Sequence, residues 1–241
     1  MPEFIASGYS LPEAYYCALI HLVCDSDIVP CPAWDTRCKE VALTMVVEKP
    51  LAEPRISLCA PCGPRELEQY RLEMLDGILD WAVLTGKEPY TYHYRMGNQL
   101  EYVVAELKRD PWSRRAVVQI GTKNDKRRAD PPCLQHMQFM IRDGKLNMEV
   151  LFRSNDAVKA TFMNAFALIC LQERIAGELG VEAGTYIHRV NSFHAYERDW
   201  ALLEAYVRAP RSADYAGDWE EMMAEERPGI LREMEMLKSL N

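Results

Sequence analysis

The chain has 241 residues, of which 49% are hydrophobic, and its formal net charge is −8. This length predicts a single domain, residues 1–241, with a substantial apolar core. The acidic balance excludes a global basic field of the kind that draws proteins to nucleic acids or anionic membranes.

Export signals and a disulfide framework are both absent from the sequence pattern. The first residues, Met-Pro-Glu-Phe, lack the basic and apolar regions of a signal peptide, and no apolar run reaches about 18 residues. We therefore expect a cytoplasmic protein without a membrane segment, whose eight cysteines are free thiols. Cys59 and Cys62 have zinc-knuckle or redox spacing, but no second such pair follows, so we predict no metal site.

The first half of the chain alternates helical and strand patterns. Apolar spacing predicts a helix over Leu11–Cys24, a strand over Val41–Val47 and a helix over Glu66–Trp81. An amphipathic helix over Asn98–Lys108 stops before Asp110-Pro111, and a strand follows from 116 to 120. This mixture of elements is typical of an α/β (α+β) fold.

A hairpin is the clearest prediction in the second half. Cys133 follows two prolines, and apolar residues then alternate on both sides of Asp143-Gly144, the turn pair that favours a two-residue loop. Cys133 should enter one strand, and Arg153-Ser154 should leave the other. Because the hairpin reverses the chain, a thiol and an anion-binding pair can lie at the same edge.

Three elements are predicted after the hairpin. Helical spacing covers Met163–Leu179 and ends at Gly180. His194 and Tyr196 lie two residues apart, so on a strand they would share a face. The acidic segment Asp218–Leu240 predicts a helix with one break, at Pro228-Gly229.

A set of motifs, in order and at their spacings, resembles the core of thymidylate synthases and pyrimidine-nucleotide hydroxymethylases. The motifs are Asn98-Gln99, Leu107–Arg115, Pro131-Pro132-Cys133, Gln138-Phe139, Arg153-Ser154, Asp156, Asn164 and His194-x-Tyr196. The similarity covers about half the chain, from Tyr90 to Arg208. Each motif alone is weak, and their common order carries the resemblance.

The resemblance implies a thymidylate-synthase-like mixed β-sheet flanked by helices, in a homodimer that shares arginines across its interface. It implies transfer of a one-carbon unit from 5,10-methylenetetrahydrofolate, or a related tetrahydropterin, to C5 of a pyrimidine nucleoside monophosphate. Thymidylate synthase acting on dUMP is the first interpretation. A 5-hydroxymethylase acting on dUMP, dCMP or CMP is the second. An inactive nucleotide-binding relative is the third, although Cys133 and Arg153 are both present.

The resemblance also implies a role for each motif residue. Cys133 would be the nucleophile, Asn164 would read the base, and Tyr92 would lie beside the cysteine. Asp156 would contact the pterin, or else cap the following helix. The residues expected to bind the nucleotide are Arg37, Arg114, Arg115, Gln138, Arg153, Ser154, Asn155, Asp156, Asn164, His194 and Tyr196.

Some of these roles have a plain alternative. Arg37 precedes an early strand, as a phosphate-binding arginine of the family does, but it could be an ordinary surface arginine. Arg114 and Arg115 would bind the partner subunit's nucleotide, or form a basic surface pair. Family members carry a helix glutamate that orders water near the base. Glu68 and Glu73 are both available for this role, and a solvated helix face is favoured for each.

The chemistry explains the need for a cysteine. C5 of a pyrimidine is a poor nucleophile, but addition of a thiolate at C6 gives an enolate with carbanion character at C5. A nearby arginine would favour the thiolate, and its planar guanidinium also matches a phosphate. Asn164 can donate to uracil O4 and accept from N3–H, whereas family deoxycytidylate hydroxymethylases tend to carry aspartate there.

The chain departs from the family pattern at several places. Leu134 stands where many members have histidine, and Ser192 stands where they have aspartate. Residues 158–163 replace a Gly-x-Pro-Phe loop, as in divergent short archaeal and phage-type members. These changes leave nucleotide binding and thiol addition in place, and bear on the one-carbon donor and the final reductive step.

Overall fold

One mixed sheet of eight strands organises the computed structural model, which describes residues 1–57, 60, 62–209, 214–215 and 217–240. The strands in chain order are β1 (Glu3–Gly8), β2 (Asp27–Cys31), β3 (Thr36–Val47), β4 (Ile56–Ser57), β5 (Val117–Gln119), β6 (Leu134–Arg142), β7 (Lys145–Phe152), β8 (Asn155–Asp156), β9 (Glu182–Tyr196) and β10 (Asp214–Tyr215). Of these, β4 and β10 pair with each other in a separate two-stranded sheet. The helices are α1 (Leu11–Cys24), α2 (Pro64–Asp76), α3 (Asp80–Leu84), α4 (Tyr92–Met96), α5 (Gln99–Arg109), α6 (Thr161–Leu179), α7 (Trp200–Arg208) and α8 (Trp219–Ser239).

The sheet runs in the order β1-β3-β9-β7-β6-β5, with β2 paired to β3 and β8 paired to β9. Strand β9 is parallel to β7 and antiparallel to β3, which makes the sheet mixed. The parallel pair requires a crossover, which α6 supplies. The predicted mixed sheet flanked by helices is confirmed.

The hairpin formed by β6 and β7 follows the prediction from Asp143-Gly144. Both residues have positive φ, 52° and 72°, as a two-residue loop between twisted strands requires. Strand pairing then returns the chain to its start, where the Arg153 amide donates to the Cys133 carbonyl at 2.8 Å. The hairpin therefore fixes the thiol and the arginine at one end of the sheet.

Helix α6 crosses one face of the sheet and is buried along most of its length. Phe162, Phe166 and Leu168 are all at most 1% exposed. The helix ends at Gly180, which has a φ of 68° and forms the left-handed cap. Burying α6 on the sheet also anchors its first turn, which carries Asn164.

Two predicted helix boundaries are wrong. Helix α2 ends at Asp76 instead of continuing to Trp81, because Gly77 adopts a φ of 64° and terminates it. Helix α8 continues through Pro228 without the predicted break. Its buried Ile230 and Met234 pack with Leu72 of α2, so contacts beyond the proline stabilise the helix despite the lost N–H.

None of the described cysteines, which exclude Cys59, forms a disulfide. Cys59 lies outside the part of the chain that the structure describes, so the predicted spacing pair with Cys62 cannot be followed there. Within that part, no three His, Cys, Asp or Glu side chains are grouped as a metal site. Nor does any helix in the described ranges have the length and apolar character to cross a membrane.

Candidate active site

A cavity of about 690 Å³, the main cavity, lies at the end of the sheet where β6 begins and where β7 and β9 end. Its wall brings together nine of the residues predicted from sequence: Tyr92, Cys133, Arg153, Ser154, Asn155, Asp156, Asn164, His194 and Tyr196. Residues separated by about a hundred positions in the chain therefore share one site.

Short local structures explain this convergence. After β7, the chain forms β8, in which Asp156 pairs with His194 of β9. The Ala157 amide then donates to the His194 carbonyl at 2.7 Å, which fixes the turn into α6. Backbone hydrogen bonds consequently fix the chain at Cys133, in the turn and at the end of β9.

Cys133 is partly buried on the cavity wall, and burial raises the pKa of its thiol. Arg153 opposes this increase, while Asp130 adds to it. We expected nearby cationic charge to favour the thiolate. In the protein without ligand, the effect of burial is the larger one, so the thiol form predominates near neutral pH.

Alkylation of Cys133 should therefore depend on pH. Because the thiolate is the reactive form, the rate should rise through an inflection above the ordinary cysteine range of about 8.5. Asp130→Asn should move that inflection to lower pH, and Arg153→Gln should move it to higher pH. Peptide-resolved mass spectrometry after iodoacetamide pulses measures the rate for each cysteine. Shifts of the same sign in both variants would contradict this electrostatic account.

Tyr92, on α4, contacts the nucleophile loop. Its hydroxyl accepts a hydrogen bond from the Leu134 amide at 3.3 Å. Burial and the neighbouring Cys133 raise the pKa of Tyr92 well above its ordinary value, so it remains a neutral phenol. Tyr92 can still donate its own proton towards the cavity.

Arg153 supports the same loop from the other strand of the hairpin. Its Nε donates to the Pro132 carbonyl at 3.1 Å, and its Nη2 donates to the Pro131 carbonyl at 2.5 Å. Asp130 lies 3.6 Å from Nη2. The guanidinium thus positions the nucleophile loop and also presents positive charge at the cavity.

Asn164 is fixed in the first turn of α6. Its backbone N–H donates to the Ala160 carbonyl at 2.9 Å, and the residue is only 5% exposed. The side-chain Oδ1 accepts a hydrogen bond from the hydroxyl of Tyr70, on α2. The amide therefore has a defined orientation on the cavity wall.

His194 and Tyr196 form the polar wall at the end of β9. The His194 Nδ1 lies 3.1 Å from the Ser192 carbonyl and 3.4 Å from the Ser154 hydroxyl. A carbonyl can only accept, so Nδ1 carries the proton and Nε2 can accept from a ligand. The two rings meet edge to face at a centroid distance of 5.0 Å.

Asn155 belongs to a buried polar network behind the cavity wall. Its Oδ1 accepts from the Thr161 hydroxyl at 2.6 Å and lies 3.3 Å from the His188 Nε2. Burial lowers the pKa of His188 to about 3, so the ring is neutral, and its Nδ1 faces the Tyr186 hydroxyl at 2.8 Å. The network holds β8 against β9.

Asp156 makes local contacts in the turn that precedes α6. Its Oδ1 accepts from the amides of Val158 and Lys159, both at 2.9 Å. These amides lie before α6, whose N-cap is Ala160 without a side-chain cap hydrogen bond, so the helix-capping alternative anticipated from the sequence is wrong. Only Oδ1 is used in these bonds, which leaves Oδ2 able to accept from a ligand.

Four residues expected to bind nucleotide do not line the main cavity: Arg37, Arg114, Arg115 and Gln138. Arg37 donates through Nε to Glu197 at 3.1 Å. Arg115 pairs with Glu106 at 3.0 Å, and Gln138 donates to the Arg114 carbonyl at 2.9 Å. The roles of these four residues stay predictions.

The structure identifies further wall residues that sequence patterns did not single out. Cys31 enters from β2, Cys38 and Glu40 enter from β3, and Trp34 enters from the short helical turn between these strands. Glu40 accepts from the Ser192 hydroxyl at 2.5 Å. The alternating pattern of a strand does not show which other strand lies beside it in the sheet. The pairing of Glu40 with His194 is a long-range property of the sheet.

The two candidate glutamates of α2 differ. Glu68 is 0% exposed and pairs with Arg71 and Arg227, so a solvated helix face is wrong for it. Burial raises the pKa of Glu73. Glu73 lines a side cavity of about 270 Å³ that shares Tyr70, Tyr92 and Asp130 with the main cavity. Glu73 is therefore the better placed of the two glutamates for the expected role near the base.

Comparisons with known proteins agree on one family. A family model described as thymidylate synthase matches residues 72–215. A Methanocaldococcus jannaschii protein provisionally named thymidylate synthase is 32% identical over 211 residues, which are 82% of this chain and 93% of that protein. A Bacillus licheniformis thymidylate synthase is 31% identical over 169 residues, covering 69% of this chain and 58% of that protein.

A solved structure gives the same result for the fold. The thermostable thymidylate synthase A from Bacillus subtilis matches with a TM-score of 0.70 and 20% identity, covering 86% of each chain. The predicted thymidylate-synthase-like arrangement of the sheet and helices is thereby confirmed.

Proposed function

This chain belongs to the thymidylate synthase family, and from this premise we propose that it transfers a one-carbon unit to C5 of dUMP to form dTMP. The observation that carries the proposal is the shared cavity of Cys133, Asn164 and the His194–Tyr196 pair. These groups supply a nucleophile, a base-reading amide and sugar-binding rings. The named relatives do not favour the hydroxymethylase alternative.

The residues divide the reaction between them. The Cys133 thiolate adds to C6, and the electron pair of the C5–C6 bond moves towards O4 as the enolate forms. The Asn164 amide donates to O4, where charge develops, and so stabilises the adduct. C5 then forms a bond to the carbon supplied by the donor and loses its proton, and the bond between that carbon and the donor nitrogen breaks. Transfer of hydride from the donor to this carbon would expel the Cys133 thiolate and restore the C5–C6 double bond.

The proposed donor is 5,10-methylenetetrahydrofolate or a related tetrahydropterin. The side cavity suits a flat heterocycle because Met74, Leu79 and Tyr90 line it beside the shared Tyr70 and Tyr92. Asp156 lines the main cavity and not the side cavity, so a pterin held by its Oδ2 would extend from the main cavity towards this apolar lining. When bound, the donor supplies the one-carbon unit and, for a methyl product, the hydride.

The proposed active form is a homodimer built on the uncovered face of the sheet. Buried residues alternate along β3 with partly exposed ones, and the same alternation occurs in β7 and β9. The partly exposed apolar residues of this face include Ala42, Val46, Met140, Leu151 and Ile187. A sheet face of this composition is stabilised by a second layer, which an identical subunit can supply.

Base choice should depend on Asn164. Cytosine presents an amino group and an unprotonated N3, so leaving one buried group unpaired should cost about 1–3 kcal/mol, or tenfold to hundredfold in preference. Asn164→Asp should shift the preference towards dCMP, whose amino group can donate to a carboxylate. The measurement is kcat/KM for both nucleotides in both proteins. A wild-type preference for dCMP would contradict this role of Asn164.

The product tests the proposed function as a whole. Incubation with dUMP and methylenetetrahydrofolate should give a nucleotide heavier by one CH2, with release of tritium from [5-³H]dUMP. A gain of CH2O would identify a hydroxymethylase instead. Absence of tritium release with either dUMP or dCMP would favour a binding protein without turnover.

A further inference from the structure

The hydroxyl of Tyr70 has no part in the chemistry described above. Tyr70 projects from α2 into the wall between the main and side cavities and lines both. Its hydroxyl donates to Oδ1 of Asn164. A tyrosine on an amphipathic helix normally contributes apolar packing, but this one contacts the residue assigned to read the base.

We propose that Tyr70 is a positioning residue that sets base specificity, by holding the Asn164 amide in the orientation that accepts uracil and disfavours cytosine. The inference rests on the proposed function, since it assigns the substrate preference of the same site. Tyr70 itself acts through Asn164.

The donor role of Tyr70 follows from its surroundings. Burial and the nearby Tyr92 and Glu73 raise the pKa of Tyr70 well above its ordinary value, so its O–H is present at any working pH. Within the described residues, the hydroxyl makes no other hydrogen bond than the one to Asn164. A flipped amide would present its NH2 to the phenol and leave the phenol proton without an acceptor.

The fixed amide matches uracil. With Oδ1 turned towards Tyr70, Nδ2 offers its N–H groups to the cavity, and no protein acceptor for Nδ2 is recorded among the described residues. Uracil O4 can accept from Nδ2, while the second lone pair of Oδ1 can accept from N3–H.

Cytosine does not match the same orientation. Its amino group would meet the amide NH2, donor against donor, and its bare N3 would face Oδ1. Only a flipped Asn164 suits cytosine, and the flip breaks the hydrogen bond from Tyr70. Tyr70 therefore disfavours the binding of cytosine without contacting the base.

Tyr70→Phe provides the direct test. Calorimetric titration without folate measures Kd for dUMP and dCMP, and the ratio of dCMP to dUMP values should fall roughly two- to tenfold, mainly through tighter dCMP binding. Tyr16→Phe is the matched control, because it removes a phenol that donates to the Val207 carbonyl at 3.1 Å, away from the cavity. Its ratio should equal that of the wild type.

A double-mutant cycle separates positioning from general structural support. In Asn164→Asp there is no amide to orient, so adding Tyr70→Phe should change the ratio much less than it does in the wild type. The inference is overturned, and the proposed function is not, if Tyr70→Phe changes the Kd ratio equally in both backgrounds. The same holds if Tyr70→Phe leaves the ratio of the wild type unchanged while dUMP still binds. If the wild type binds neither nucleotide, the proposed function fails and this inference fails with it.

Discussion

Cys133→Ser should lower kcat by roughly 10⁴-fold or more, the scale of losing a covalent nucleophile. A serine hydroxyl is far harder to ionise than a thiol and cannot add efficiently to C6. Binding of dUMP should persist, because the phosphate, sugar and base edge are assigned to other side chains. Activity assays and calorimetric titration measure the two effects separately.

Trapping should place the covalent bond on the same residue. A 5-fluoro analogue of dUMP cannot lose its C5 substituent as a proton, so with the folate donor it should leave a stable adduct on Cys133. Cys24→Ser is the control, because Cys24 is exposed at the end of α1 and should leave turnover unchanged. An adduct mapped to Cys31 or Cys38, the other thiols of the main cavity, would contradict the assignment.

Local sequence signals predicted the centre of the fold well. The turn at Asp143-Gly144 needs two positive φ angles, and few residue pairs other than Asp-Gly or Asn-Gly meet that requirement cheaply. Helix α6 is longer than most and ends at a glycine, so its pattern was strong. These two elements place Cys133, Arg153 and Asn164, which is why the centre of the site could be predicted.

Other elements have weak local signals. Strand β1 and strand β2 are short and lie at one side of the sheet, so neither has a long alternating pattern. Helix α7 follows β9 after a single short turn and was not predicted. Burial of these segments depends on pairing and packing with distant parts of the chain, which single-sequence patterns do not contain.

The same limit explains the polar residues that were missed or misjudged. Glu68 resembles any exposed helix glutamate until Arg227, 159 positions later, packs against it. Tyr70 has the spacing of a core residue, and only the approach of α2 to α6 shows its contact with Asn164. Side chains that act on other side chains across elements cannot be recognised from spacing alone.

Arg153→Ala and Arg115→Ala should each inactivate the homodimer by roughly 10²-fold or more, since each removes a charged partner proposed for the phosphate. Arg115 also pairs with Glu106, as Arg109 does at 2.6 Å. Arg109→Ala is therefore the control, and it should remain active. Its activity would show that loss of a partner for Glu106 does not explain the Arg115 effect.

Mixing the two inactive proteins should restore activity if the site is shared between subunits. In a heterodimer, the site of the Arg115→Ala subunit keeps that subunit's own Arg153 and receives Arg115 from the neighbouring subunit. One of the two sites of the heterodimer is therefore complete. Random exchange should then regenerate about one site in four. The test is turnover after mixing, with subunit exchange verified by native mass spectrometry. Verified exchange without recovery would mean that both arginines serve one subunit, because only a shared site can be rebuilt from two damaged chains.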